Sequence, residues 1–218
     1  MAATVVDVLV HPGEFFAERD VGLRGAALVV VAAALLAGLT GVVIIVAFRR
    51  LLPPRLVVVA GAFSIVTFVV GGLVGWLVLT ALLYALSWPL AEEGSFRALL
   101  APVGWGMAPH VLTGLVVLVA TLVVVSQLSA PTDSETAVAF ARQVERGPLV
   151  ALAAFAGTAR ATASGSLSQV QAVTGVASAL WSGYVWVAAV ERVRGLSRRA
   201  AVAVVVPVVV VMLLNAGI

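Results

Sequence analysis

Five long stretches of this sequence contain no Asp, Glu, Arg or Lys: Gly25–Phe48, Leu56–Leu90, Val103–Leu128, Val170–Val190 and Ala200–Ile218. A helix rises about 1.5 Å per residue, so roughly 20 apolar residues cross a ~30 Å hydrocarbon core. Lipid offers the backbone no hydrogen-bond partners, so a chain with such runs must satisfy its peptide groups within helices. The pattern therefore predicts an all-α fold, a polytopic membrane helical bundle of about five transmembrane helices plus short interfacial helices. Composition agrees: 11% of residues are charged and mean hydropathy is +1.17, whereas soluble domains carry about 25% charged residues. Clean apolar interiors also narrow function. Ion pathways and proton relays use ionisable groups at membrane depth, and these runs hold no Asp, Glu, Arg or Lys.

Net charge is +3, from 13 basic and 10 acidic residues, and every cation is Arg. With the richness in Ala, Val and Gly, this reads as a compositional habit with arginines at span ends, where orientation is set. No nucleic-acid partner is expected. Cysteine is absent, which removes disulfides, thiolate metal sites and a Cys nucleophile. The start of the chain carries Asp7 and no early Arg, a poor match to a cleaved signal peptide.

The chain reads as one membrane domain over residues 1–218, with spans near 25–48, 62–86, 104–128, 170–190 and 200–218. Val5, Val6, Leu9 and Val10 fall at helical spacing and predict one short amphipathic helix, which His11-Pro12-Gly13 breaks. Pro53-Pro54 predicts a rigid turn between the first two spans. Glu92-Glu93-Gly94-Ser95 should cap a short helix over Phe96–Leu100, ended by Pro102, and Pro109 should kink the third span. Residues 131–168 are the polar or interfacial insertion, in which Leu149–Ala159 is interfacial, re-entrant or a sixth span. Arginine counts on the two sides are nearly balanced, and the dense Arg192–Arg199 cluster favours a cytoplasmic N-terminus and an outside C-terminus.

Aromatic residues are less evenly placed. Tyr84, Trp88, Trp105, Tyr184 and Trp186 map to one end of the bundle, with Trp76 and Trp181 one or two turns deeper. That end is the candidate contact surface; an ordinary aromatic belt is the alternative. Gly71 and Gly75 form a GxxxG step, read as packing against the first span, with a homodimer face as the alternative. Gln171, Thr174, Ser178 and Ser182 share one face of the fourth span, read as interhelical hydrogen bonding or as a polar substrate track. His110 follows Pro109 with no second metal ligand near it. No G-x-S-x-G elbow, H-E-x-x-H motif or Walker loop occurs. Catalytic, cofactor and metal residues are therefore not expected.

Three groups of residues follow in order: Val8-Leu9-Val10-His11-Pro12 with Phe15-Phe16; Phe96 with Gly104-Trp105-Gly106-Met107-Ala108-Pro109; and Trp181-x-x-Tyr184 running to Arg194-Gly195-Leu196-Ser197. Together they resemble the Yip-type membrane domain, the family of Ypt/Rab-GTPase-interacting proteins, in a prokaryotic form. The resemblance implies five spans and a link to vesicle traffic. Only residues 1–24 precede the first span, so the family's long cytosolic region is missing and small-GTPase binding is not expected. The expectation is a non-enzymatic multi-pass scaffold or organiser acting through protein or lipid contacts. Membrane lipids, a membrane-protein partner or a homo-oligomer are its expected partners. The alternative is a small-molecule or ion transporter using the polar face of the fourth span.

Overall fold

The computed structural model describes residues 2–19, 21–47, 49, 53–91, 93–127 and 165–215. Among them, eight helices follow in order: α1 (Ala2–Val10), α2 (Pro12–Glu18), α3 (Leu23–Ala47), α4 (Pro54–Ser87), α5 (Phe96–Trp105), α6 (Ala108–Gln127), α7 (Gly165–Arg194) and α8 (Arg198–Asn215). Four stretches are long and apolar enough to cross a membrane: Leu23–Ala47, Pro54–Ser87, Phe96–Ser126 and Leu167–Arg194. The last helix, α8, has 18 residues and is apolar beyond its two opening arginines. The fold is all-helical, in keeping with the expected bundle of about five spans. The predicted insertion over 131–168, with its Leu149–Ala159 helix, lies almost wholly outside the described residues.

Two helix pairs form the bundle, and a broken helix joins them. Helix α3 packs along α4, α7 packs along α8, and α5 and α6 lie between the pairs, touching α3 and α7. The α3–α4 contact is close because small residues line it. A Cβ on Gly72 would stand 2.9 Å from the Ala34 Cβ, and one on Gly38 would stand 3.0 Å from the Ile65 Cα. The Ser64 hydroxyl, buried at this seam, donates to the Gly38 carbonyl at 3.1 Å. Packing and such bonds hold helices together where lipid gives no hydrophobic drive.

Several expectations are corrected. Gly71 and Gly75 face open space, with nothing within 4 Å of an added Cβ. Their neighbour Gly72 makes the contact with α3, so the GxxxG step is not the intramolecular seam. The first helix does end at Val10, with His11 outside it, but a second helix was not foreseen: Pro12 opens α2, because a proline in the first turn lacks only an N–H that would have no partner there. The same rule explains α4, which starts at Pro54 and runs as one 34-residue helix from well before residue 62. Pro102 lies inside α5, which continues to Trp105, so it does not stop the helix at Leu100. The break falls instead at Gly106-Met107, and Pro109 sits in the first turn of α6 rather than kinking a continuous span.

The N-terminal helices fold back against the bundle. Helix α2 lies on α7 and inserts Phe15 and Phe16, both buried. The Trp181 indole donates to the Leu9 carbonyl at 2.8 Å and ties α1 to α7. An exposed Arg19–Asp7 ion pair at 2.6 Å closes the α1–α2 hairpin.

Candidate functional site: the tryptophan-buttressed helix break

The third span is interrupted where Gly104-Trp105-Gly106 meets Met107. The Gly106 N–H donates to the Pro102 carbonyl, and the Met107 N–H turns back to the Gly104 carbonyl, both at 3.1 Å. In an unbroken helix the Met107 N–H would serve the Val103 carbonyl. That carbonyl accepts instead from the indole Nε1 of Trp186, at 3.1 Å. On the other side of α5 the Trp76 Nε1 donates to the Leu100 carbonyl at 2.9 Å. Two side chains, from α4 and α7, thus supply donors beside the break, where water would otherwise be needed.

Glycine makes this approach geometrically available. A Cβ on Gly104 would meet the Ala26 Cβ at 2.8 Å and the Trp76 ring at 2.9 Å. A Cβ on Gly106 would fall within the Trp186 indole. Gly25 on α3 is matched in the same way to Trp105, whose ring would lie 2.8 Å from an added Cβ. The Trp105 ring meets Phe15 edge-on at 5.4 Å. Its own Nε1 is buried without a hydrogen-bond partner among the described residues.

Eight residues beyond Trp186 on α7, about two turns away, stands a cation. Arg194 closes α7 and is only 3% exposed. Its Nε donates to the Ser87 hydroxyl at 3.0 Å, and its Nη1 donates to the carbonyls of Glu93, at 2.7 Å, and Gly94. Its guanidinium lies 4.5 Å from the centre of the Tyr84 ring, a favourable cation–π geometry. Tyr84 also meets Trp88 and Phe96 edge-on, at 5.4 and 6.0 Å. Two left-handed glycines shape this corner. Gly195 (φ +62°) ends α7, and Gly94 (φ +81°) lets the loop before α5 lie against the Val193 carbonyl. Arg194 does stand at a span end, but folded into the bundle, where it pins α4, the 93–94 loop and α7 together.

The sequence-derived candidates separate into two groups. Trp105, Pro109, Trp186 and Ser178 are buried, so they act within the fold. Trp88 (64% exposed), Tyr184 (45%) and Trp181 (37%) remain on the surface. The polar face of α7 is mostly satisfied on its own helix. Thr174 donates to the Val170 carbonyl and Ser178 to the Gly175 carbonyl. Only Ser182 reaches across, pairing with His110 Nδ1 on α6 at 3.2 Å. Gln171 is exposed. Among the described residues no group of three His, Asp or Glu side chains could hold a metal. Sequence reasoning missed Ser87 and Arg194 as a pair, and it missed the indole-to-carbonyl bonds. The sequence signal near the latter was Gly104-Trp105-Gly106, a run that marks close approach of a neighbour without naming it.

These features define a polytopic helical membrane protein built around a broken third span. The chain belongs to the Yip1 domain family, whose model matches residues 6–218. An uncharacterised protein of Methanocaldococcus jannaschii is 22% identical over 118 residues, covering 51% of this chain and 84% of that protein. No solved structure matches.

Proposed function

We propose that this chain is a non-enzymatic membrane scaffold or organiser, working through protein or lipid contacts at its aromatic end. A role in membrane organisation or trafficking follows from this reading. One observation carries it. Trp76, Trp181 and Trp186 each donate to a backbone carbonyl of another element, which braces the end of the bundle that presents Trp88, Trp181 and Tyr184. Aromatic residues held rigidly bind at low entropic cost. Membership in a family not known for enzymes agrees. In this reading the N-terminus is cytoplasmic and the C-terminus lies outside.

The test is photo-crosslinking in native membranes with a crosslinker in place of Trp88 or Tyr184. A specific partner or a second copy of this chain is the expected product. Recovery of the monomer alone from both positions argues against the scaffold. The hydroxyls of Thr174 and Ser178 are bonded within α7, so no observation favours the transporter.

A further inference from the structure

The corner around Arg194 brings two helix starts side by side. Arg194 Nη1 bridges to the carbonyls of Glu93 and Gly94, and the Glu93 carboxyl carbon lies 3.9 Å from where a Gly195 Cβ would stand. The first turn of α5, capped by Ser95, therefore adjoins the start of α8, where the Ala200 N–H donates to the Ser197 hydroxyl. Arg97 lies in the first turn of α5, Arg198 and Arg199 open α8, and Arg192 lies in the last turn of α7; all four are exposed. The acidic groups beside them are Glu93, exposed, and Glu191, half-buried; Glu92 lies outside the described residues. Among the described residues the ion pair is Arg19–Asp7, and none of these arginines is in one. Arg194 itself bonds only neutral oxygens, so its charge adds to the excess.

Depth decides what such a patch meets. The apolar run of α8 starts at Ala200, directly after Arg199, and the exposed Trp88 ends α4 at the same end of the bundle. Tryptophan at a helix end marks the headgroup level. Guanidinium groups at that level sit among lipid phosphates, whose geometry they match better than an ammonium does.

We propose that Arg97, Arg198 and Arg199 bind the phosphate headgroup of anionic membrane lipids, at a site held in shape by Arg194. This deepens the lipid side of the scaffold reading. The oxygen ligands would come from a phospholipid rather than from free phosphate, because the arginines border an apolar lipid-facing surface.

The experiment uses the full chain in detergent, with bound lipid counted by native mass spectrometry. Phosphatidylglycerol should be retained at least about tenfold more strongly than phosphatidylcholine, as several arginines near an anionic headgroup imply. R97Q/R198Q/R199Q should lose that preference, and R49Q/R55Q, at the opposite end of α3 and α4, should keep it. Raised salt should weaken retention in the native chain, a readout that needs no variant. Equal retention of the two lipids would overturn the proposal. So would equal loss in R49Q/R55Q, or displacement of phosphatidylglycerol by millimolar inorganic phosphate. A crosslinked protein partner with no lipid preference would remove this site and leave the scaffold standing on protein contacts; a lipid preference without any partner would keep this site and remove the protein-contact side of that reading.

Discussion

The Trp186 indole and the Val103 carbonyl, 3.1 Å apart, complete a helix that its own backbone leaves open. The two residues come from helices far apart in sequence, and Gly106 makes room for the meeting. Removing either the donor or the room should loosen the third span.

Gly106→Ala tests the room. The new methyl group would fall within the Trp186 ring. Overpacking of this kind costs about 1–3 kcal/mol. Thermal unfolding in detergent should show the loss, with a red shift in tryptophan emission. Gly71→Ala and Gly75→Ala meet open space on a helix and should be neutral or stabilising by up to ~1 kcal/mol. Equal loss at all three glycines would contradict the assignment.

Trp186→Phe and Trp105→Phe separate the donors. Both indoles are buried, but only Trp186 Nε1 is bonded among the described residues. Losing it leaves a buried carbonyl short of a partner, about 1–3 kcal/mol. Trp105→Phe removes an unpaired N–H and should cost less. A larger loss at Trp105 would show that its indole has a partner.

Arg194→Lys should not substitute for Arg194. A lysine has one nitrogen to reach Ser87 and two carbonyls that the guanidinium serves from different atoms. Each charge-assisted bond lost costs about 1.5–3 kcal/mol. Hydrogen exchange or protease cleavage at 93–95 should rise sharply, while residues near 38–41 stay protected. Unchanged protection at the loop would mean that Arg194 does not hold it.

Ser182→Ala deletes the α6–α7 bond to His110, and such bonds average about 0.6 kcal/mol in membranes. A small loss is expected. Ser178→Ala removes only a bond within α7 and should cost even less. The order of the two is the measurement that matters.

The apolar runs made the helical bundle readable, because length and lack of charge suffice to place a membrane helix. They also brought Trp105, Trp186 and Tyr84 to one end. What they could not show was which groups pair. Trp181 and Leu9 stand 172 residues apart, and nothing in either neighbourhood names the other. The glycine errors have a different cause. Gly71, Gly72 and Gly75 are equivalent in a pattern, and only the rotation of α4 about its axis decides that Gly72 meets Ala34. Pro12 and Pro54 read in the sequence as parts of a break and a turn, yet each starts a helix because it falls in a first turn. The burial of Arg194 was not legible because a buried cation needs carbonyls presented by a loop, and loop geometry is not written in periodicity.

Helix α4 has 34 residues and α8 has 18, so they measure about 51 Å and 27 Å. The two touch, yet no single bilayer thickness suits both when upright. Residues 56–59 at the start of α4 are apolar, so the surplus length gains little by standing in water. The long helix must lean, or the lipid around it must thicken. Sterol-free and sterol-rich bilayers would therefore not be equivalent surroundings: a deeper one eases α4 and overreaches α8.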